Sequence, residues 1–158
     1  MASEVNQKPG ETGRGDPRLF LREEELDNGI ALLLASERII ATITRKAQKP
    51  TGLSATSLRL LMTIRFEPDL TVSELRDLTG ATTPTLARLL GELDKESLIV
   101  KRQGGRDARR RRLTVSPEGE ALLRPLVEQL RSALREAYRD AGANAVSGTR
   151  AVLEALTK

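Results

Sequence analysis

The chain has 158 residues, 39% of them hydrophobic, which is enough for one compact domain with helical extensions. It contains no cysteine and no histidine, so disulfides and histidine pH switches are excluded, and neither structural zinc nor haem is expected. Two phenylalanines and one tyrosine are too few aromatic side chains for the base-stacking platform of a single-strand or RNA-binding module.

The formal net charge of +4 is unevenly distributed. Residues 101–112, read KRQGGRDARRRR, carry seven basic side chains and one acid, Asp107, a net charge of +6. The rest of the chain keeps 19 of the 26 basic and 21 of the 22 acidic residues and is nearly neutral. A basic patch on a near-neutral body is typical of a protein that binds a polyanion. The alternative is a charged loop that is merely solvated. We favour a polyanion-binding patch, because the basic segment follows a helix-turn-helix pattern.

The first 18 residues are polar and rich in glycine, proline and charge, which predicts a disordered tail. They lack the apolar core of a signal peptide, and the longest apolar run, Ile30 to Ala35, is too short to span a membrane. We therefore expect a cytoplasmic protein with no membrane partner. An enzyme without histidine or cysteine would need a carboxylate or lysine site, and no such constellation stands out. No catalytic activity and no cofactor are expected.

A long amphipathic helix is predicted from Leu19 to about Lys46, ended by the segment 49–52. Its apolar residues recur at three- and four-residue spacing: Leu26, Ile30, Leu33, Leu34, Ile40 and Ile43. Ser54 is predicted to cap a second helix that runs to about Phe66. The predicted inner face of that helix comprises Leu58, Leu61, Met62 and Ile64.

Two further helices follow in close succession. After a brief strand, residues 70–72, Ser73 is predicted to cap a short helix whose Val72, Leu75 and Leu78 point inward. Gly80 suits the left-handed turn that ends such a helix. Thr82 or Thr83 then caps a helix that reaches Glu96. Its buried stripe is predicted to be Leu86, Leu89, Leu90 and Leu93, and its outward residues Thr82, Thr83, Thr85, Arg88 and Glu92.

A β-hairpin and two C-terminal helices complete the pattern. The predicted strands are residues 98–101 and 111–115, with Gly104 and Gly105 at the turn. Ser116 and Pro117 then start a helix to about Asp140, and a last helix covers about 144–156. The apolar stripes of the terminal helices could pack within the chain. We prefer a dimer seam, because these segments lie outside the central module.

The order of elements predicts a mainly α protein with a small β-wing, a winged helix-turn-helix flanked by dimerisation helices. The predicted regions are the tail, 1–18; the N-terminal dimerisation helix, 19–52; the DNA-binding domain, 53–116; and the C-terminal dimerisation helices, 117–158. The second helix of a helix-turn-helix places its N-terminal residues at base edges in the major groove. Wing arginines suit the minor groove or its phosphates, and Asp107 is predicted to pair with one of them; an ordinary turn aspartate is the alternative. Candidate DNA-binding residues are Ser73, Thr82, Thr83, Pro84, Thr85, Arg88, Lys101, Arg106, Asp107, Arg109, Arg110 and Arg111.

The run DARRRRLTVSPEG resembles the wing of the MarR family, Asp-x-Arg followed by a strand and Leu-Thr-x-x-Gly. Asp107 and Arg109 match the Asp-x-Arg, and Gly119 matches the final glycine. Ser116 replaces the usual threonine, and Ser97 stands where glycine is usual, which predicts a strained helix end or a shifted wing. The flanking segments resemble the PetP-type subgroup of that family.

The resemblance implies a homodimeric transcriptional regulator, a repressor, on a pseudo-palindromic operator in double-stranded DNA. It also implies release by a small aromatic or phenolic acid, for which Arg59 and Arg65 are candidate cations. The absence of cysteine excludes the peroxide-sensing mechanism. The alternative is an architectural DNA-binding protein with no effector and little sequence preference, which the short threonine side chains and the arginine-rich wing would also fit. A winged module used only for protein contacts would leave the charge of the wing unexplained.

Overall fold

The computed structural model of the chain describes residues 21–103 and 111–157. The elements in order are α1 (Glu23–Thr51), α2 (Ala55–Phe66), β1 (Leu70–Thr71), α3 (Val72–Thr79), α4 (Thr83–Lys95), β2 (Ile99–Gln103), β3 (Arg111–Val115) and α5 (Pro117–Leu156). The fold is mainly α with one small antiparallel sheet, as predicted. The described residues divide into two compact units, the first ending at Ile39 and the second beginning at Ile40. The predicted tail, 1–18, lies outside the described residues.

Helix α1 begins with three acidic residues in its first turn, where the helix dipole favours negative charge. The predicted end at about Lys46 was wrong, since the helix continues through Pro50 to Thr51. A proline this close to the end removes only one backbone hydrogen bond. The Thr51 hydroxyl donates to the carbonyl of Ala47 at 2.7 Å, and Gly52, at φ 71°, turns the chain away.

The second unit has a leucine-rich core built from helices and sheet together. The predicted inner faces of α2 and α4 are buried, and Ser54 caps α2 by accepting a hydrogen bond from the Ser57 amide at 3.0 Å. Strand β3 contributes Leu113, and the start of α5 contributes Leu123 and Leu126. The leucines of α4 pack into this core, so the opposite, polar face of α4 is exposed.

The start of α3 differs from the prediction. Thr71, not Ser73, is the N-cap: its hydroxyl accepts from the Glu74 amide at 3.2 Å, and the Glu74 carboxylate accepts from the Thr71 amide at 2.7 Å. This reciprocal arrangement needs an acceptor side chain three residues after the cap, and a cap at Ser73 would have placed Arg76 there. Gly80 ends α3 at φ 64°, as predicted.

The inner face of α3 was also predicted too broadly. Leu75 is fully buried, whereas Val72 and Leu78 are 41% and 58% exposed. Residues three apart advance about 300° around a helix, so these three side chains are spread over about 120° of its surface. A helix of eight residues packed along one line therefore buries only the middle one.

The sheet has the order β1-β3-β2, with all pairs antiparallel. Strand β3 pairs Leu113 with Leu70 on one side and with Lys101 on the other. Strand β2 begins one residue later than predicted and extends to Gln103. Ser97, before it, adopts φ 57°, a left-handed conformation that favours glycine. The prediction of a strained helix end is thus confirmed.

Helix α5 starts as predicted, with the Ser116 hydroxyl accepting from the Gly119 amide at 2.9 Å and a proline in the first turn. It is interrupted at Gly142 by non-helical torsion angles, φ 79° and ψ 164°, close to the predicted break between two helices. No helix within the described ranges has the length and apolar character needed to cross a membrane.

Candidate nucleic-acid interface

The N-terminus of α4 presents a cluster of exposed threonines. Thr82 is the N-cap, with its hydroxyl accepting from the Thr85 amide at 3.4 Å and donating to the Thr85 hydroxyl at 2.9 Å. Thr83 and Pro84 occupy the first two helical positions and are exposed. In the part of the chain that the structure describes, the Thr83 hydroxyl has no hydrogen-bond partner. Thr83 is therefore the threonine best placed to bond an external group.

The polar face of α4 continues with Arg88, one turn further on. Its side chain is 62% exposed and forms an ion pair with Glu92. Glu92 also accepts a hydrogen bond at 3.2 Å from the hydroxyl of Ser57, which is fully buried in α2. Glu92 was predicted only as an outward residue. Its partner lies 35 positions away, and no local sequence signal indicates that contact.

Ser73 is exposed on the first turn of α3. Its hydroxyl accepts a long hydrogen bond, 3.5 Å, from Arg76, whose guanidinium is also paired with Asp77 at 2.8 Å. The candidate residue Ser73 thus lies on a polar, accessible surface of the helix that precedes α4. The positive end of the α3 dipole lies here, and the Glu74 carboxylate already accepts from the Thr71 amide at the same end.

Two basic residues of the wing strands make internal contacts. Lys101 of β2 forms an ion pair at 2.6 Å with Asp94 near the end of α4. Arg112 of β3 donates to the backbone carbonyl of Asp69 at 2.8 Å. The first contact attaches the wing to α4, and the second attaches it to the turn before β1. Sequence reasoning assigned Lys101 to DNA and missed this second role.

Some of the remaining basic residues of the wing lie on the described strands, and the others lie outside the described residues. Arg102 is exposed and lies opposite Arg112 in the sheet. The backbone of Arg111 belongs to β3. The candidates Arg106, Asp107, Arg109 and Arg110 lie outside the described residues. The described strands therefore place the ends of the basic segment on the sheet beside α4, to which Lys101 is ion-paired.

The two arginines predicted to bind an acidic effector, Arg59 and Arg65, have different surroundings. The Arg65 guanidinium donates to Glu120 of α5 at 2.8 Å and lies 5.1 Å from the centre of the Phe66 ring, so it joins α2 to α5. Arg59 is exposed and lines an open cleft of about 420 Å³ between α2, α3 and α4. Arg59 therefore lies at a cleft, and Arg65 is held in a contact between two helices.

A larger open cleft, about 660 Å³, lies where the end of α4 meets the starts of α2 and α5. Its charged lining comprises three carboxylates, Glu92, Glu96 and Glu118, and one cation, Lys95. This lining is net negative and does not suit an acidic ligand.

Comparisons with known proteins agree with this geometry. A family model described as the MarR family matches residues 51–110. The HTH-type transcriptional regulator PetP of Rhodobacter capsulatus is 36% identical over 142 residues, which cover 90% of this chain and 86% of that protein.

Among solved structures, the fold is similar to a mutant of MepR from a multidrug-resistant S. aureus clinical isolate, with a TM-score of 0.69, 15% identity and coverage of 80% of this chain and 93% of that one. It is also similar to NadR in complex with 4-hydroxyphenylacetate, with a TM-score of 0.69, 18% identity and coverage of 96% and 99%.

Proposed function

The chain belongs to the MarR family and is a DNA-binding transcriptional regulator; from this premise we propose that it represses transcription as a homodimer on an inverted-repeat operator. The observation that supports this most directly is the exposed polar face of α4. Thr83, Pro84 and Arg88 project from a helix whose opposite face is held in a leucine core. That arrangement suits insertion into a major groove.

Base reading at this interface rests on two kinds of side chain. The Thr83 hydroxyl donates to or accepts from a base edge, and its methyl group contacts a thymine methyl. Arg88 reaches a guanine, whose O6 and N7 accept from a guanidinium. Ser73 contacts a phosphate, and the wing residues Arg106, Arg109, Arg110 and Arg111 enter or flank the minor groove. The short threonines imply a close approach of α4 to the bases.

We assign the homodimer contacts to two sets of exposed apolar side chains, called here the helical arms: residues 23–39 of α1 and 134–156 of α5. In α1, Leu26, Ile30, Leu33 and Leu34 are 46–58% exposed. In α5, Leu134, Tyr138, Val152, Leu153 and Leu156 are 42–61% exposed. Apolar faces of this extent are uncommon on a soluble monomer. We propose that the arms belong to dimerisation regions 19–52 and 117–158, and that residues 53–116 are the DNA-binding domain; the start of α5 also packs on the core of that domain.

The effector of this regulator is a small aromatic acid that binds at the Arg59 cleft. The cleft has apolar walls, among them Leu60, Leu78 and Leu89, and it includes Thr85 from the start of α4. A carboxylate at Arg59 with its ring against these leucines would lie beside the base-reading residues. The ligand in the NadR complex, 4-hydroxyphenylacetate, is the first compound to test. It should weaken operator binding by the wild type and not by Arg59→Gln.

The test of the main proposal is binding to DNA upstream of the gene that encodes this chain. Footprinting should reveal an inverted repeat whose half-sites lie about one helical turn apart, ~10 base pairs. Inserting five base pairs between the half-sites turns them to opposite faces of the duplex and should abolish tight binding. Unchanged affinity after that insertion would contradict the rigid-dimer mechanism.

Two variants distinguish a sequence-specific regulator from an architectural DNA-binding protein. Thr83→Ala should lose preference for the operator by roughly 1–3 kcal/mol while keeping affinity for random DNA. Arg109→Ala should weaken binding to both duplexes and reduce the log–log salt slope by roughly 0.9 per lost phosphate contact. Equal losses on both duplexes for Thr83→Ala would favour the architectural alternative.

A further inference from the structure

A continuous set of polar contacts leads from the interior of the second unit to Arg88 on the exposed face of α4. Ser54 and Ser57, at the cap and first turn of α2, have hydroxyls 2.7 Å apart. The Ser57 hydroxyl donates to Oε2 of Glu92 at 3.2 Å, and Ser57 is fully buried. The other carboxylate oxygen of Glu92, Oε1, accepts from Nη1 of Arg88.

The two oxygens of Glu92 therefore have different partners, one buried and one exposed. A carboxylate fixed at one oxygen by a buried group loses the freedom to rotate that an ordinary surface glutamate has. The order of residues also matters: Arg at position i with Glu at i+4 opposes the helix dipole and is the weaker order for a helical ion pair. The contact with Ser57 supplies an anchor that the Arg88–Glu92 pair alone would lack.

We propose that Glu92 is a positioning residue for DNA specificity, acting through Arg88. Arginine has five donor hydrogens, so Arg88 keeps its Nη1 bond to Glu92 and still offers its remaining donors to a guanine edge. This inference rests on the proposed contact between Arg88 and DNA. It adds that the orientation of Arg88 is set by α2 through Glu92, and not by DNA alone.

The charge of Glu92 carries the second half of the proposal. Random duplex DNA attracts a regulator mainly through its phosphates. An arginine paired with a carboxylate presents little net charge to a phosphate. A guanine edge is uncharged and tolerates the pair. Glu92 thus lowers affinity for random DNA more than affinity for the operator.

The experiment measures dissociation constants by fluorescence anisotropy for the footprinted operator and for a scrambled duplex, at two salt concentrations. Operator preference is the dissociation constant for the scrambled duplex divided by that for the operator. Glu92→Gln should reduce this ratio about tenfold, chiefly by tightening binding to the scrambled duplex. Ser57→Ala should reduce the ratio in the same direction by a smaller factor. Thermal unfolding of each variant checks that the fold is retained.

The control variant is Glu96→Gln. It removes a carboxylate at the end of the same helix that lines the same cleft as Glu92. In the part of the chain that the structure describes, the Glu96 side chain forms no ion pair, so this variant removes one negative charge without releasing an arginine. The ratio of dissociation constants should stay within twofold of the wild-type value.

The double variant decides how Glu92 acts. In an Arg88→Ala background, Glu92→Gln should have no further effect on the ratio. A second fall of similar size there would show that Glu92 does not act through Arg88, and would overturn the proposal. It would equally be overturned if Arg88→Ala reduces the ratio but Glu92→Gln leaves it within twofold of wild type. If Arg88→Ala itself changes nothing, the proposed contact between Arg88 and DNA is wrong, and the inference from Glu92 is wrong with it.

Discussion

Leucines with the same helical spacing lie in opposite environments in two regions of this molecule. In the winged region, residues 53–116, the helical residues Leu61, Leu75 and Leu93 have no exposed surface. In the helical arms, Leu33 and Leu134 are 46% and 50% exposed. Periodicity therefore identifies an apolar face in both regions, but it does not identify what covers that face. The winged region covers its own leucines, whereas the arm leucines stay exposed in the single chain and are the proposed dimer contact.

The largest effect should follow from a charge placed in an arm. Leu33→Glu would leave a carboxylate unpaired in the proposed dimer contact, at a cost of about 4 kcal/mol. The dimer dissociation constant should rise on the order of a thousandfold. Sedimentation velocity across a range of concentrations measures this change.

Leu78→Glu is the matched control, because Leu78 is 58% exposed and lies in the winged region. It should leave the oligomeric state unchanged. If both variants sediment like the wild type, the arm is merely a solvated surface and the comparison between the regions fails.

The next largest effect should be a loss of stability when side-chain volume is removed from the core of the winged region. Leu61→Ala should lower the free energy of unfolding by about 3 kcal/mol, because it leaves a cavity at a fully buried position. The loss should not vary with protein concentration, since the contacts lie within one chain. Chemical denaturation at two concentrations tests this, and a concentration-dependent loss would place Leu61 in the dimer contact instead.

Gly119 tests how tightly the winged region meets α5. A methyl group at this position would lie 2.3 Å from the carbonyl oxygen of Leu98 and 2.7 Å from a methyl carbon of Val115. Gly119→Ala should therefore destabilise the fold by roughly 1–3 kcal/mol. Gly91→Ala, in α4 with nothing within 4 Å, should instead stabilise it by roughly 0.5–1 kcal/mol. Equal thermal shifts for both variants would contradict this close approach.

The smallest expected effect concerns Ser97. Its left-handed conformation is strained for a serine, so Ser97→Gly should raise the free energy of unfolding by about 0.5 kcal/mol after the added entropy of the unfolded chain is subtracted. Asp69, at φ 66°, should gain less from the same change, because aspartate tolerates this conformation better. A loss of stability in Ser97→Gly would mean that the serine side chain contributes a contact of its own.

Local signals predicted much of this fold. Ser54 and Ser116 were identified as caps because a hydroxyl before an apolar run satisfies free amides. Gly80 was identified as a helix end because it tolerates a positive φ. The buried faces of α2 and α4 followed from leucine spacing over three turns, which is long enough to define a face. These features depend on residues within a few positions of one another.

The errors and omissions have non-local or competing causes. Thr71 and Ser73 were both acceptable caps, and the carboxylate of Glu74 decided between them. Leu78 has the right spacing for the core but lies beyond its edge. The contacts of Glu92 with Ser57 and of Lys101 with Asp94 depend on how elements pack, and one sequence without its fold does not reveal them.

The junction at the end of α4 has a consequence for the shape of the DNA that this regulator accepts. The amides of Ser97 and Leu98 bond to the last carbonyls of α4 at 2.9 Å, so β2 leaves the helix at a fixed angle. Ser116 locks the same turn by bonding to the carbonyls of Ser97 and Leu98 at 2.7 and 3.0 Å. In the proposed complex, helix and wing therefore meet neighbouring grooves at a set separation. A duplex with a different groove width or twist must deform to fit, and the stiffness of base pairs that no side chain touches would enter the binding energy.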